Sequence, residues 1–398
     1  MKIIDPVTNS RSSLVYIIAG EPSGDLLASR MMQSLRDKVP SIHFSGLGGE
    51  TMIASGFESL FDISEISVMG IIEVLPKLRN IVRRLNQVVA DIGNKSPDII
   101  VTVDSWGFAR QILERLEKEG IAVPRVHYVA PQVWAWKRGR AKVVARLTDR
   151  LMMLLPHEAQ YFEKYGLKCT FVGHPVIESA SRPTDSAEIF KKKYDIPDKC
   201  TLISVLPGSR KSEIDRLVPV FKQTLLGLKR YFPDLFIVIP SVSAISEKVD
   251  AGFAGLDIPL RIILGQYERY AAFRASRFAL AASGTVSLEL VACGTPHVIT
   301  YKFGYFTNKI LKRYAGTKYA NLINILADKF VIPEFVLENC RASLIIPSAL
   351  ELMQDSEKAK SQVGEAQLQL IRLKPDGVMP SEKAAETVLE ELLRGRTV

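Results

Sequence analysis

The chain has 398 residues, of which 47% are hydrophobic and 24% charged, a balance typical of globular domains that excludes disordered and fibrous proteins. Lysine and arginine outnumber aspartate and glutamate and give a formal net charge of +9, which favours an anionic partner: a nucleotide, a phosphorylated substrate, nucleic acid or an acidic membrane. The scattered cysteines exclude a disulfide framework and a zinc site, and no apolar run has the length of a signal peptide or a membrane span. We therefore expect a cytoplasmic protein of two domains, or of three small ones.

Short apolar segments rich in valine and isoleucine recur along the chain, and each leads through a turn with glycine or proline into a segment of helical period. Strands that are apolar on both faces belong to parallel sheets covered by helices. The predicted strands are 14–20, 98–104, 125–131, 150–156, 201–208, 235–240, 261–265, 278–283 and 297–301. The sequence therefore predicts an α/β protein that repeats one strand, loop and helix organisation in two halves.

The domain boundary is predicted near residue 175. The stretch 173–200 is rich in proline, serine and charge and is the natural linker. We predict a first domain over 1–175, a second over 176–345, and C-terminal helices over 346–398 that pack back on the first. The helical patterns near the C-terminus cover 342–355, 357–373 and 381–394.

Two loops of the second half have the composition of a phosphate site. In open parallel sheets, ligands bind beyond the carboxyl ends of the strands, where helix N-termini present unpaired N–H groups. After the strand at 201–208, Gly208 permits close approach of a phosphate, Ser209 can cap the helix, and the planar fork of Arg210 suits a diphosphate. Glu213 lies in the first helical turn. The alternative is an ordinary capped turn that carries a surface arginine.

The second of these loops follows the strand at 278–283. Ser283, Thr285 and the backbone around Gly284 can hold phosphate, while Glu289, one turn into the helix, is suited to the hydroxyls of a ribose. The alternative is that Glu289 only complements the dipole of its helix.

The loop after the first strand is acidic. It contains Glu21, Ser23, Gly24 and Asp25, and together with the glycine cluster at 46–49 it does not match the GxGxxG fingerprint of nicotinamide and flavin enzymes. Because carboxylates repel phosphate, this loop suits the hydroxyl or amide groups of an uncharged part of a substrate. Capping by Ser23 or Asp25 is equally compatible.

Asp104 ends the apolar strand 98–104. Partial desolvation at the tip of a strand raises the pKa of a carboxyl group toward the range useful for a general base. The alternative is a helix N-cap, since aspartate is common immediately before a helix.

Histidines and basic stretches give weaker signals. The five histidines show no metal-ligand spacing, so we predict no protein-bound metal. Arg138, Lys142, Arg146 and Arg150 have the i, i+4 spacing of one helix face, and the stretch 301–320 combines basic with aromatic residues. Solvated helix faces and nucleic-acid binding both fit, although no RRM, KH or helix-turn-helix signature accompanies them.

An apolar segment at 66–76 is followed by the basic residues Lys77, Arg79, Arg83 and Arg84. An apolar patch rimmed by cations is typical of a surface that enters an anionic bilayer or holds an acyl chain, and a buried core helix is the alternative. The candidate contact residues are Val68, Met69, Ile71, Ile72, Val74 and Leu75.

Several motifs, in this order along the chain, are similar to those of one known family. The most specific are SVMGIIEVL within 66–78, VWAWK within 127–140 and LPGSR within 206–214. The others are AGEPSGD (19–25), GLGGETMIASGFESLFD (46–62), VDSWGF (103–108), LPHEAQYFEKYG (156–166), FVGHP (171–175), ASGTVSLE (282–289) and the segment around NLINILA (321–327). On these residues the chain resembles, over nearly its full length, the lipid-A-disaccharide synthases, the glycosyltransferases of lipopolysaccharide assembly.

The resemblance implies the GT-B fold, in which two Rossmann-like domains face a central cleft and the C-terminal helices cross back to the first domain. It implies inverting transfer of 2,3-diacylglucosamine from UDP to the 6-hydroxyl of 2,3-diacylglucosamine 1-phosphate, with a β-1,6 disaccharide as product. The implied partners are these two substrates and an anionic membrane surface, without nucleic acid and without a cofactor. The oligomeric state is left open, with a homodimer as one alternative.

The resemblance also implies roles for residues. Asp104 aligns with the proposed catalytic base, and Arg210 would stabilise the charge that builds on the β-phosphate, so that no metal is required. The acceptor would contact the loop of Glu21, Ser23, Gly24 and Asp25, and the sequence leaves open which of the two acids, Glu21 or Asp25, holds it. The UDP-sugar would contact Gly208, Ser209, Arg210, Glu213, Ser283, Gly284, Thr285, Glu289 and Asn324, the last of which lies in NLINILA.

Because both substrates carry acyl chains, the apolar segment at 66–76 is predicted to contact acyl chains and the membrane, and the protein to associate peripherally with the inner membrane from the cytoplasm. Two alternatives remain. One is a GT-B transferase or epimerase that acts on a soluble UDP-N-acetylglucosamine substrate, and the other is a non-catalytic protein that binds nucleotides or nucleic acid.

Overall fold

The structure is a computed structural model that describes residues 13–66, 71–133, 139–302 and 318–396, without the side chains of 71–78 and 396. The chain divides into two compact units. The first comprises Met1–Pro175 and Leu373–Val398, and the second comprises Val176–Arg372.

The first unit contains a parallel sheet of six strands in the order β2-β1-β3-β4-β5-β6. Its strands are β1 (Leu14–Ala19), β2 (His43–Leu47), β3 (Ile99–Val103), β4 (Arg125–Tyr128), β5 (Arg150–Met153) and β6 (Lys168–Phe171). Its helices are α1 (Pro22–Lys38), α2 (Glu50–Ala54), α3 (Ile71–Lys95), α4 (Trp106–Lys118), α5 (Arg140–Leu147) and the C-terminal helix (Pro380–Arg396), with short 3-10 helices at Ile63–Glu65, Pro156–Tyr161 and Glu163–Tyr165.

Strand β1 shows why the sheet is covered on both faces. Alternate residues of a strand point to opposite faces of its sheet. Val15 and Ile17 pack with α1 and the C-terminal helix, whereas Tyr16 and Ile18 pack with α3 and α4. Every residue of β1 after Leu14 is therefore buried, and the strand is a continuous apolar run, as a central strand of a parallel sheet requires.

The second unit contains a parallel sheet of six strands in the order β12-β11-β10-β7-β8-β9. Its strands are β7 (Thr201–Leu206), β8 (Leu235–Ser241), β9 (Leu260–Leu264), β10 (Phe278–Ala282), β11 (His297–Tyr301) and β12 (Glu334–Val336). Its helices in the described residues are α6 (Val176–Ser181), α7 (Ala187–Lys193), α8 (Lys211–Lys229), α9 (Ser243–Phe253), α10 (Gln266–Ala275), α11 (Val286–Ala292), α12 (Leu322–Ala327), α13 (Ala342–Gln354) and α14 (Ser356–Ile371), with a 3-10 helix at Leu337–Asn339.

The predicted strands are all present, and three further strands were missed: β2, β6 and β12. Each of the three forms an edge of its sheet. Edge strands are covered less completely, and these three are only partly buried over much of their length. They therefore lack the apolar run by which the sequence reveals the central strands.

The C-terminal helices are divided between the units, which differs from the expectation that 346–398 packs on the first domain as a whole. Helix α13 packs against α8 and β11, and its buried residues Ile345, Ala349 and Met353 join the core of the second unit. Helix α14 packs against α11 and α12. Of the three helices, the C-terminal helix is the one that packs against α1, where Ala385 and Val388 join the core of the first unit.

The predicted linker is largely structured within the second unit. The division falls between Pro175 and Val176, and α6 and α7 follow at once. Phe190 of α7 is fully buried in a cluster with β7 and β8, which explains why this polar stretch is not a flexible connection. Within the described ranges, we find no helix with the length and apolar character that crossing a membrane needs.

Candidate active site

A cavity of about 420 Å³ lies at the carboxyl ends of β7, β8 and β10. It brings together all the predicted nucleotide-binding residues except Asn324: Gly208, Ser209, Arg210, Glu213, Ser283, Gly284, Thr285 and Glu289. This is the place in an open parallel sheet where ligands bind, because the strands end there and helix N-termini begin.

The loop between β7 and α8 is held by Glu213. Its Oε2 accepts hydrogen bonds from the backbone N–H groups of Ser209 (3.0 Å) and Arg210 (3.3 Å), and its Oε1 accepts one from the Tyr301 hydroxyl (3.3 Å). Both oxygens of this buried carboxylate are therefore engaged within the protein. These contacts assign Glu213 to the shape of the loop, whereas the sequence placed it against the ligand.

The contact between Glu213 and this loop requires a glycine at position 208. Its φ is +109°, and a Cβ atom at this position would lie 2.4 Å from Glu213 Oε2. A side chain would therefore both strain the backbone and displace the carboxylate. Arg210 follows directly, with 60% of its side chain exposed, so its guanidinium is available to a ligand in the cavity.

The loop between β10 and α11 forms the opposite part of the cavity lining. Gly284 and Thr285 are exposed, and the Ser283 hydroxyl donates a hydrogen bond to the Ala320 carbonyl at 3.3 Å. The glycine and threonine are thus placed for a ligand, while the serine hydroxyl is already engaged with a neighbouring segment.

Glu289 is paired with an arginine that the sequence reasoning missed. Arg269 on α10 donates from a terminal nitrogen to Glu289 Oε1 at 2.8 Å, and both residues line the cavity. Desolvation raises the pKa of the Glu289 carboxyl group, and the positive charge of Arg269 opposes this shift. The available signal was Gly265 between β9 and α10, since a strand, a glycine and a helix in sequence also mark the other site loops.

Asn324 lies outside the cavity and is fully buried. Its Oδ1 accepts hydrogen bonds from the backbone N–H groups of Val331 and Ile332, both at 2.8 Å, and its amide donates to the Ile332 carbonyl and to Glu334, both at 2.7 Å. The amide side chain has no capacity left for a nucleotide. The predicted contact of Asn324 with the UDP-sugar is therefore corrected: this residue ties α12 to the turn before β12.

In the first unit, Asp104 follows β3 in an unusual backbone conformation. Asp104 and Ser105 have φ values of +54° and +40°, two consecutive residues in the left-handed region. Such residues cost about 1–3 kcal/mol each and are concentrated at functional sites, where the surrounding structure enforces them. The Asp104 N–H donates to the Tyr128 carbonyl at 2.8 Å, which fixes the turn.

The Asp104 carboxylate faces the N-terminus of α1. Ser23 Oγ donates to its Oδ2 at 2.6 Å, and the Ser105 N–H donates to its Oδ1 at 2.9 Å. The residue at the N-cap position of α4 is Ser105, without a side-chain capping bond. Asp104 is therefore not the N-cap residue of α4, which was the alternative to a catalytic role.

The loop after β1 meets the loop after β3. Ser105 Oγ donates to Glu21 at 3.1 Å, and a Cβ atom on Gly24 would lie 2.8 Å from the Val103 carbonyl. Gly24 thus allows α1 to approach the end of β3. The structure brings Glu21, Ser23 and Gly24 together with Asp104, as their positions after neighbouring strands would require.

Asp25 has a different role from the one predicted for it. It is buried, and its carboxylate accepts hydrogen bonds from the backbone N–H groups of Gly49 (2.7 Å), Thr51 (2.8 Å) and Met52 (3.1 Å). It caps α2 and anchors the glycine cluster at 46–49. Direct contact with an acceptor is therefore corrected to a structural role, the capping that the sequence had left open.

A buried histidine supports the Asp104 turn from the neighbouring strand. His127 Nδ1 lies 2.7 Å from Thr102 Oγ1, and its ring packs edge-on against Trp106 with 4.8 Å between centroids. Burial lowers the pKa of His127 to about 3, so the ring is neutral at physiological pH. The sequence reasoning considered histidines only as metal ligands and missed this packing role, which its place inside a predicted strand signalled.

The basic stretches are only partly described. Arg150 lies on β5, is buried, and pairs with Glu390 and Glu391 of the C-terminal helix, both at 2.9 Å, so it does not share a solvated helix face with Arg146 on α5. Arg138 and residues 303–317 lie outside the described residues.

The predicted membrane-contact residues lie in a part of the chain that is described incompletely. Val68 and Met69 lie outside the described residues. Ile71, Ile72, Val74 and Leu75 belong to the backbone of α3, but their side chains lie outside the described part. As for metals, the described parts of the chain contain no group of three or more His, Cys, Asp or Glu residues that could hold an ion.

Comparison with known proteins identifies a family, a relative and solved structures that are similar to this chain. A family model described as lipid-A-disaccharide synthetase matches residues 15–387. A lipid-A-disaccharide synthase of Paramagnetospirillum magneticum is 44% identical over 386 residues, which cover 96% of this chain and 98% of that protein. Among solved structures, the UDP-GlcNAc 2-epimerase from Neisseria meningitidis bound to UDP-GlcNAc is similar with a TM-score of 0.64 at 11% identity, covering 96% of this chain and 100% of that one.

A second solved structure, the glycotransferase of kitacinnamycin, has a TM-score of 0.59 at 14% identity and covers 96% of this chain and 99% of its own. At such identities the likeness concerns the fold alone. Together with the two parallel six-stranded sheets, it confirms the predicted fold class, an α/β protein of the two-domain GT-B type.

Proposed function

Because the chain belongs to the lipid-A-disaccharide synthase family, a family of UDP-sugar glycosyltransferases, we propose that it forms the lipid A disaccharide. It transfers 2,3-diacylglucosamine from UDP to the 6-hydroxyl of 2,3-diacylglucosamine 1-phosphate. The products are the β-1,6 disaccharide 1-phosphate and UDP. The observation that carries this proposal is the cavity at the ends of β7, β8 and β10, where Arg210 and the Arg269–Glu289 pair converge.

The UDP group binds in this cavity. The exposed guanidinium of Arg210 contacts the diphosphate, and the backbone around Gly208, Gly284 and Thr285 allows close approach of its oxygens. Glu289 accepts hydrogen bonds from the ribose hydroxyls. Glu213 holds the first of these loops in place through its bonds to two backbone N–H groups.

The acceptor binds in the first unit, at the loops after β1 and β3. Asp104 accepts a hydrogen bond from the Ser23 hydroxyl. This donor is neutral, so the 6-hydroxyl of the acceptor substrate can replace it. Glu21, linked to Ser105, and the backbone at Gly24 complete this site. Asp25 acts on it indirectly, because it anchors the glycine cluster below α1.

The reaction is a single displacement at the anomeric carbon. Asp104 takes the proton of the acceptor 6-hydroxyl as its oxygen forms the new bond to the anomeric carbon. The bond from that carbon to the β-phosphate oxygen breaks, and its electron pair leaves with UDP. A single displacement inverts the anomeric centre, and the positive charge of Arg210 stabilises the leaving diphosphate.

The experiment uses Asp104→Asn. Asparagine tolerates the left-handed conformation, its Oδ1 can accept from the Ser105 N–H, and its amide group can donate to the Ser23 hydroxyl, but it cannot take a proton. We expect turnover to fall by roughly 100- to 10,000-fold, as for loss of a general base, with UDP affinity unchanged. The assay incubates UDP-diacylglucosamine with the monosaccharide phosphate in detergent and EDTA and measures the disaccharide phosphate.

The matched control is Asp195→Asn, which makes the same exchange at an exposed residue with a φ of +52°. It should retain full activity. Near-full activity of Asp104→Asn would reject the base assignment. Turnover of UDP-N-acetylglucosamine by the unaltered protein, without the lipid acceptor, would instead favour a soluble sugar nucleotide as substrate.

The acylated substrates also require an apolar surface that contacts their acyl chains. We assign this surface to Val68, Met69, Ile71, Ile72, Val74 and Leu75. The basic residues that follow would attract an anionic bilayer, so the protein would bind the cytoplasmic face of the inner membrane peripherally. Changing Met69 and Ile72 together to glutamate should release the protein from anionic vesicles in a flotation assay. The control pair is Ile53 and Ile189, both exposed, and unchanged flotation of the first variant would count against this surface.

A further inference from the structure

The ion pair between Arg269 and Glu289 links two helices at the edge of the nucleotide cavity. Glu289 lies in the first turn of α11 and Arg269 in the first turn of α10. The arginine donates to Glu289 Oε1 at 2.8 Å, which fixes one oxygen of the carboxylate. Both residues line the cavity, so the fixed carboxylate lies at its wall.

We propose that Arg269 is a positioning residue, which holds Glu289 as an ionised and fixed acceptor for the vicinal diol of the nucleotide. The inference rests on the proposed function, because it takes the cavity to bind a nucleoside diphosphate. It names the part of the ligand that the pair selects, a ribose with free 2′ and 3′ hydroxyls.

The chemistry of the pair requires such a partner for Glu289. Its side chain is only 16% exposed, and a carboxylate removed from water tends to take up a proton. A protonated Glu289 would keep one acceptor and gain a donor, and would lose the charge that strengthens hydrogen bonds from hydroxyls. Arg269 prevents this, because its guanidinium is permanently charged and one of its terminal nitrogens lies 2.8 Å from Glu289 Oε1.

The other charged and titratable groups around Glu289 cannot replace Arg269. Tyr270, also on α10, is buried and neutral, since desolvation raises the pKa of its hydroxyl. Its hydroxyl lowers the pKa of the Glu289 carboxyl group, but less than the charge of Arg269 does. Cys293 on the same helix as Glu289 is neutral for the same reason, with its pKa raised to about 12. Arg210 lines the same cavity, but its described ion pair is with Glu213. Arg269 is thus the cation of the described residues that pairs with Glu289.

The geometry also separates this role from direct binding of phosphate. One terminal nitrogen of Arg269 is committed to Glu289, and its Nε is buried with no hydrogen-bond partner among the described residues. The planar edge of the guanidinium is therefore not free to form the bidentate pair that diphosphates favour. Arg210, which is largely exposed, is the arginine suited to that task.

The experiment compares UDP with 2′,3′-dideoxy-UDP by calorimetry from pH 6 to pH 8.5. The unaltered protein should prefer UDP at every pH in this range. Arg269→Gln should lose about tenfold or more in UDP affinity at pH 6, the typical effect of losing a charged hydrogen bond, and should regain much of it as the pH rises and Glu289 ionises. Its affinity for the dideoxy analogue should change little.

Three further variants complete the design. Arg269→Lys keeps the charge and should retain UDP affinity that is independent of pH. Arg269→Gln added to Glu289→Gln should cost nothing more than Glu289→Gln alone, since the arginine acts through the carboxylate. Lys248→Gln removes a cation from a surface pair with Asp215 in the same unit and should leave nucleotide binding unchanged.

The outcomes distinguish the two proposals. If Arg269→Gln weakens both nucleotides equally at all pH values, Arg269 contacts the ligand directly, and the positioning role is overturned while the nucleotide site stands. If the unaltered protein binds neither UDP nor its analogue, the proposed function itself fails at this cavity. If it binds both equally, no diol is recognised, and the inference is overturned.

Discussion

Replacing Asn324 by alanine tests whether this residue supports the fold or the ligand. The sequence placed Asn324 at the nucleotide, and the structure gives its side chain four hydrogen bonds inside the second unit. The substitution leaves the N–H group and the carbonyl of Ile332 without a partner, whereas the Val331 N–H keeps the Lys329 carbonyl (3.1 Å) and Glu334 Oε1 keeps the Asn321 N–H (2.8 Å). Since the site is fully buried, these groups do not exchange freely with water.

The loss of stability follows from the two groups left without a partner. Each buried polar group that loses its partner costs about 1–3 kcal/mol, so even the low end of this range gives about 2 kcal/mol in the free energy of unfolding. For a unit of this size, about 2–4 °C of melting temperature corresponds to 1 kcal/mol. We therefore expect the second unit of Asn324→Ala to melt roughly 4–8 °C lower.

Calorimetric unfolding and UDP titration are to be measured on the same preparations. Because Asn324 does not line the cavity, UDP affinity below the melting range should stay within about threefold. Asn339→Ala, at an exposed position of the same unit, serves as the matched control. A variant that melts like the unaltered protein but loses UDP binding would refute the structural role and restore the ligand contact.

Two further predictions concern the nucleotide loop and acid stability. Gly208→Ala places a Cβ atom 2.4 Å from Glu213 Oε2, so the loop should open and UDP affinity fall by about tenfold or more, whereas Gly364→Ala, with open space around it, should bind normally in the same titration. Burial lowers the pKa of His127 to about 3 and that of His174 and His297 to about 4, from 6.5. Between these values and pH 6.5, the histidines of the unfolded chain bind protons, whereas those of the folded chain stay neutral. The free energy of unfolding should therefore be highest above pH 6.5. Below this pH it should fall by about 1.4 kcal/mol per histidine per pH unit, until the pKa of the folded state is reached. Urea unfolding at pH 7, 6 and 5 measures this slope, and a transition that does not move would contradict it.

The central strands and the site loops could be predicted because their signals are local. A strand buried on both faces is an apolar run of a few residues, and the helix that follows begins within the next few. The contribution of Gly208, Arg210 and Glu213 is therefore contained in one short stretch of sequence. The same is true of Gly284 and Glu289, which the structure places in the same cavity.

Contacts between distant segments were not predictable in the same way. Arg269 reaches Glu289 from another helix, and Asp25 reaches Gly49 from another loop. The left-handed turn at Asp104 depends on the Tyr128 carbonyl of the neighbouring strand. Each of these depends on the order of strands in the sheet, which the apolar pattern alone does not specify.

Four of the five carboxylates in the predicted loops show where sequence reasoning reaches its limit. Asp25, Asp104, Glu213 and Glu289 all lie just after a strand or in the first helical turn, so the sequence treats them alike. They differ in whether the hydrogen bonds that each carboxylate accepts come from the backbone or from side chains. Asp25 accepts three backbone N–H groups and Glu213 accepts two, and such bonds cannot be exchanged for a ligand without unfolding the loop.

Asp104 and Glu289 are bound mainly by side chains instead. Asp104 accepts a serine hydroxyl and one adjacent N–H group, and Glu289 accepts one arginine nitrogen. In the proposed function, a hydroxyl of the substrate takes the place of the serine, and a diol binds Glu289. We therefore expect the chemistry at the two carboxylates that accept fewest backbone hydrogen bonds, and a loop-holding role for Asp25 and Glu213.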